Sequence, residues 1–186
     1  MFDTPERYGL ITRILHWSMA YLVIWQFFTV AAWRLLGDTA IVRVVTALGP
    51  DHGTTGILTL ALLLVRVSWF FANRTRRPPH ATGTAGRLAL AAHVALYALM
   101  GVIPALALVR AGGAGKGLKF FDWQVLQPTG VKIDWMTEPA NTLHSPLAWF
   151  LSALIVGHVL MAVVHRAVLR DNVLSRMTGA RKPRSP

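Results

Sequence analysis

Apolar residues fall into four long blocks, separated by polar stretches rich in Gly, Pro and Arg. The blocks run from about Leu10 to Leu35, His52 to Phe71, Leu88 to Val109 and Thr142 to Leu169. Each can cross a hydrocarbon core of about 30 Å, which takes about 20 helical residues. Lipid admits only helices or closed barrels, because backbone polar groups must be satisfied internally. No ten-residue alternating pattern appears, so a barrel is excluded. The pattern predicts an all-α membrane protein: a single domain over residues 1–186, built as a bundle of four transmembrane helices with a basic tail from 170 to 186.

The connections are uneven. Ile41–Leu48 is expected to form a helical turn or two, and Gly49-Pro50-Asp51 punctuates the chain before the second block. Residues Asn73–Arg87, basic and Pro-rich, are expected to be a solvated connector. Pro104 predicts a kink in the third block. Arg110–Thr142 is the longest connection and carries Phe120, Phe121, Trp123 and Trp135. Aromatics at that density predict an interfacial belt, with a short surface helix as its expected form. The tail ending RKPRSP is expected to be disordered.

Composition narrows the chemistry. The chain is 54% hydrophobic and has no cysteine. Disulfides, thiolate metal sites and covalently attached c-type haem are therefore excluded. A net charge of +11 would suit nucleic acid, but the basic residues cluster at block edges and carry topology instead. The N-terminal segment, the second connection and the tail hold thirteen Lys and Arg, the other side six. That bias predicts both termini in the cytoplasm. The first block is too long for a signal-peptide core and is expected to remain as a helix.

Histidines supply the candidate chemistry. His144 and His158 are fourteen residues apart, which on a helix is ~40° short of four turns and roughly 21 Å of rise. Both imidazoles leave one face, one near each side of the membrane. Ionisable side chains at such depth mark functional sites. By depth, His52 pairs with His144 on the outer side, and His16 pairs with His158 on the inner side. Imidazole pairs on facing helices are how a bundle holds haem, so the chain is expected to hold two haems. His93 and His165 lie near the inner rim as rivals; His93 also suits a propionate or quinone contact, and His165 an interfacial position. His80 is expected at the surface. Arg66, fourteen residues after His52, shares that face at the inner level. It suits a haem propionate, or else snorkels from the helix end. Gly56 and Gly157 suit either a macrocycle or simple helix packing.

Several stretches then carry a resemblance: RILHW at Arg13–Trp17, DHGTTG at Asp51–Gly56 with Arg66 downstream, AHVALY and IPALAL in the third block, and the His144/His158 pair. Over Tyr8–Arg176 the chain resembles the bacterial cytochrome b561 family, among the four-helix di-haem cytochromes b. The resemblance implies two b-type haems on His16, His52, His144 and His158, and electron exchange with the quinone pool of the bacterial inner membrane. One activity within that family is superoxide oxidation at the periplasmic face with reduction of ubiquinone. Arg110, Lys116, Lys119 and Lys132 then form a positive outer rim able to steer a small anion, or merely keep a loop soluble. The aromatic loop is the expected quinone neighbour. An alternative role is a cytochrome subunit relaying electrons from a hydrogenase or dehydrogenase partner to quinone.

Overall fold

The computed structural model describes residues 1–79, 82–171 and 173–179. His80 and the RKPRSP tail, expected at the surface and disordered respectively, lie outside the described residues. The elements in chain order are α1 (Leu10–Leu36), α2 (Ala40–Thr46), α3 (His52–Asn73), α4 (Gly83–Gly113), β1 (Leu118–Phe120), β2 (Trp123–Leu126), α5 (Asp134–Ala167) and α6 (Val173–Thr178). Helices α1, α3, α4 and α5 are long and apolar enough to cross a membrane. They run up and down, so both described chain ends share one end of the bundle and the β1–β2 hairpin occupies the other.

Large aliphatic side chains point outward: Ile24, Leu64, Val94 and Leu160 are exposed, whereas Thr12, Thr29, Thr54, Thr55 and Thr59 are buried. In water this would be unstable. In lipid it follows, because tails solvate Leu and Val while small polar residues let helices approach. The hydroxyls of Thr29, Thr55 and Thr59 bond back to carbonyls one turn earlier, as Thr59 does to Thr55.

Packing is sequential: α1 lies on α3, α3 on α4, and α4 on α5. A mid-depth apolar layer joins all four, with Met19 and Val23 from α1, Leu63 from α3, Leu96, Leu99, Met100 and Ile103 from α4, and Leu151 from α5. Pro104 stays inside α4 and is buried. Its missing N–H leaves the Met100 carbonyl without its usual helical partner.

Three sequence expectations need correction. Helix α4 starts at Gly83 rather than near Leu88, so the connector is shorter. Helix α5 starts at Asp134, eight residues before Thr142, despite Pro139. The reason is tertiary packing, which overrides a weak local propensity. Thr137 and Ala140 are buried, and a side chain at Gly113 would collide with Met136 and the Ile133 carbonyl. The glycine thus lets the end of α4 seat the start of α5. Third, the aromatic stretch forms an antiparallel hairpin rather than a surface helix, pairing Lys119 with Gln124 and Phe120 with Trp123. Gly115 and Gly117, at φ +71° and +75°, turn the chain into it. Trp123 and Trp135 remain exposed at this end, where a belt would meet the interface.

The end carrying the termini is closed by a clasp that the hydrophobic pattern did not reveal. The Asp3 carboxylate is fully buried and accepts hydrogen bonds from Gly9 N–H (2.7 Å) and the Thr12 hydroxyl (2.6 Å). Arg77 Nε lies 3.2 Å from Asp3 Oδ2 as an ion pair, though not aligned as a hydrogen bond. Trp69 donates to Thr12 and stacks on Phe2. Helix α6 completes the closure: Tyr8 N–H and Arg13 donate to the carbonyls of Arg176 and Thr178.

Candidate redox centres

Two imidazole pairs form between helices that are not packed closely on each other. At the hairpin end, the rings of His52 (α3) and His144 (α5) have centroids 5.9 Å apart at 61°. At the termini end, His16 (α1) and His158 (α5) are 6.4 Å apart, also at 61°. Among the described residues, neither α1 with α5 nor α3 with α5 belongs to the closely packed helix pairs. The imidazoles span the gaps that remain. Between the two levels lies Leu151, seven residues from either histidine of α5 and buried.

Local sequence explains why His52 sits where it does. Asp51 is the N-cap of α3 and accepts from the N–H groups of Gly53 (2.8 Å) and Thr54 (3.1 Å), satisfying donors that a helix start leaves free. The Thr54 hydroxyl also bonds the Asp51 carboxylate. Burial opposes the charge on Asp51, but hydrogen bonds from Thr54 and Gly53 outweigh it and hold the carboxyl below its ordinary range. His52 follows as the first helical residue, with its direction fixed. Gln26 of α1 donates to the His52 carbonyl (3.1 Å) and lies 3.3 Å from its Nε2. Because α5 starts early, His144 stands in its third turn rather than at its opening.

The pair at the other end has a different neighbourhood. Arg66 is half-buried, 5.1 Å from the Tyr97 ring centre, and interacts electrostatically with both His16 and His158. His93 from α4 contacts the His158 ring at 5.2 Å. Its Nδ1 lies 2.6 Å from the Ala89 carbonyl, which makes that nitrogen the donor. His165 is not in this cluster; it pairs with Asp171 at 2.6 Å. No carboxylate bonds to any of the three clustered histidines or to Arg66 among the described residues.

The residues of the expected positive rim divide. Lys132 is held by Asp134 (2.7 Å) and Glu138 (3.4 Å). Arg110 donates to Asn141 at 2.7 Å. Lys116 and Lys119 are exposed and make no ion pair among the described residues.

Chemically, two-imidazole sites suit one kind of metal. No group of three or more His or carboxylate side chains converges to chelate a bare ion among the described residues. A metal held by only two protein donors must bring its other donors with it, as a porphyrin iron does. Bonds of about 2 Å on either side of a metal put imidazole centroids roughly 6 Å apart, close to both observed values. The donor set therefore fits haem, and the unpacked helix pairs leave an approach for a flat ring. A surface hollow of about 660 Å³ between α1 and α3, lined by Trp17, Tyr21, Leu58 and Val65 among others, touches neither pair.

An apolar four-helix bundle with four of its imidazoles in two facing pairs defines a membrane electron-transfer protein. The chain belongs to the prokaryotic cytochrome b561 family, whose sequence model matches residues 7–180. Proteins of this family bind b-type haem. The chain is also similar to cytochrome b561 homolog 2 of Escherichia coli (strain K12), with 30% identity over 179 residues, covering 95% of this chain and 94% of that one.

Proposed function

We propose that the chain binds two b-type haems, His52 with His144 holding the outer and His16 with His158 the inner, and carries electrons across the bacterial inner membrane. The observation that carries this reading is the repeat of one geometry at two depths of α5: two ring pairs about 6 Å apart, each across an unpacked helix gap. His93 is the weaker inner candidate, because it stands on α4, which packs directly on α5, and its ring lies closer to His158, at 5.2 Å, than the roughly 6 Å that two bonds to one metal require. Haem, when bound, supplies one-electron iron chemistry. The four histidines orient it, Arg66 offsets propionate charge at the inner level, and the layer around Leu151 keeps water from the space between. The Lys and Arg bias supports cytoplasmic termini, with the hairpin facing the periplasm.

The donor at the outer face is superoxide and the acceptor ubiquinone. In net terms two superoxide ions become two molecules of dioxygen, while one quinone gains two electrons and two protons. Exposed Lys116 and Lys119 support this donor, since a small anion approaches a positive rim faster. The test is stopped-flow mixing of purified oxidised protein with superoxide. Reduction of the haem bands within the mixing time is expected. Haems reduced only through a co-purifying dehydrogenase or hydrogenase would mark the chain as an electron-relaying subunit instead.

A further inference from the structure

Phe121, at the tip of the hairpin, is a non-glycine residue at φ +51°. For a bulky residue that conformation costs about 1–2 kcal/mol and persists only where surrounding contacts hold it. The contact that holds it comes from α3: Phe121 N–H donates to the Thr54 hydroxyl at 3.2 Å. Thr54 is fully buried and spends its own proton on the Asp51 carboxylate. Asp51 also caps the two N–H groups that follow His52. A continuous hydrogen-bonded line thus runs from the hairpin tip through Thr54 and Asp51 to the first turn of α3.

We propose that Thr54 is a positioning residue that ties the β1–β2 hairpin to His52, so that the loop sets the orientation of that imidazole. The inference rests on the reading of His52 as an axial ligand. Thr54 suits the role because one hydroxyl both donates and accepts, and its burial keeps water from replacing either bond. Valine at this position keeps the shape and deletes both bonds. A ligand ring whose support is loosened changes its angle at the metal, and outer-shell partners of this kind tune the metal they never touch.

The experiment compares Thr54→Val, Thr54→Ser and His52→Ala in the full-length holoprotein. Readouts are amide exchange at Phe121, the low-spin haem EPR signals and the two midpoint potentials. Thr54→Val is expected to speed Phe121 exchange roughly fivefold, the loss of one hydrogen bond, and to move the outer haem's EPR signal and potential while the inner stays fixed. Thr54→Ser restores all three. The unmoved inner signal shows that the variant is folded; if Val does not accumulate, Thr54→Ala against Thr54→Ser makes the same comparison. Wild-type exchange and an unmoved outer signal in Thr54→Val, with the outer haem lost in His52→Ala, would overturn the coupling alone. Retention of both haems in His52→Ala would overturn the ligand reading and the coupling with it.

Discussion

The two histidine pairs share a ring angle and nearly a spacing, yet the chain around them is built differently. The outer pair has one member at a helix start: His52 is the first residue of α3, and a capped turn, Gln26 and a strained hairpin hold it. The inner pair is set within unbroken helix, where Arg66, Tyr97 and His93 crowd it and the Asp3–Arg77 clasp closes the nearby end. Coordination alone does not distinguish two such sites. Their difference lies in the neighbours, which on the proposed two-haem reading would set separate potentials.

The comparison breaks most completely if the ligands are removed. His52→Ala or His144→Ala is expected to abolish the outer haem alone, and His16→Ala or His158→Ala the inner alone, as read by haem content and difference spectra. An inner haem that survives His158→Ala but not His165→Ala would contradict the pairing. Next in size is the clasp. Asp3→Ala leaves Arg77 without its buried partner and is expected to cost about 3 kcal/mol or more, seen as a lower Tm and faster amide exchange confined to the termini end.

Arg66 sharpens the comparison from the inner side. Replacing it by Met removes a half-buried positive charge, which disfavours the reduced iron and lowers the inner potential by several tens of millivolts. The outer potential should not move. Lys116→Glu with Lys119→Glu probes the outer side: the superoxide rate should fall several-fold at low salt and recover much of the loss when salt shortens the screening length.

The smallest effect concerns pH at the termini end. Hydrogen bonds from Val173 N–H and His165 hold the Asp171 carboxyl below its ordinary range. A depressed carboxylate stabilises above its unfolded value and loses that contribution as pH falls through the folded one. Amide exchange at Val173 should therefore quicken only on acidification below about pH 4.

The spans and the histidines were legible because their signals are periodic. Fourteen residues return to one helix face whatever the surroundings, and apolar runs of 20 residues have few other uses. What surrounds the histidines was not legible, because it depends on contacts distant in sequence. Thr54 meets Phe121 across 67 residues, and Asp3 meets Arg77 through a segment with no pattern of its own. The start of α5 was misplaced for the same reason: Pro139 and its polar neighbours read as loop until Gly113 and Met136 are seen together. Asp51 is an intermediate case. Asp followed by Gly and Thr before an apolar run is a helix-start signal, but the hairpin that leans on it cannot be inferred from that signal.

The most direct test of the central claim, that α5 serves two haems at once, is the haem-to-protein ratio of the purified wild-type chain, measured with its redox titration. Two b-type haems per chain titrating at distinct potentials is the predicted result. A single haem, or a colourless protein that takes up none on reconstitution, would contradict it.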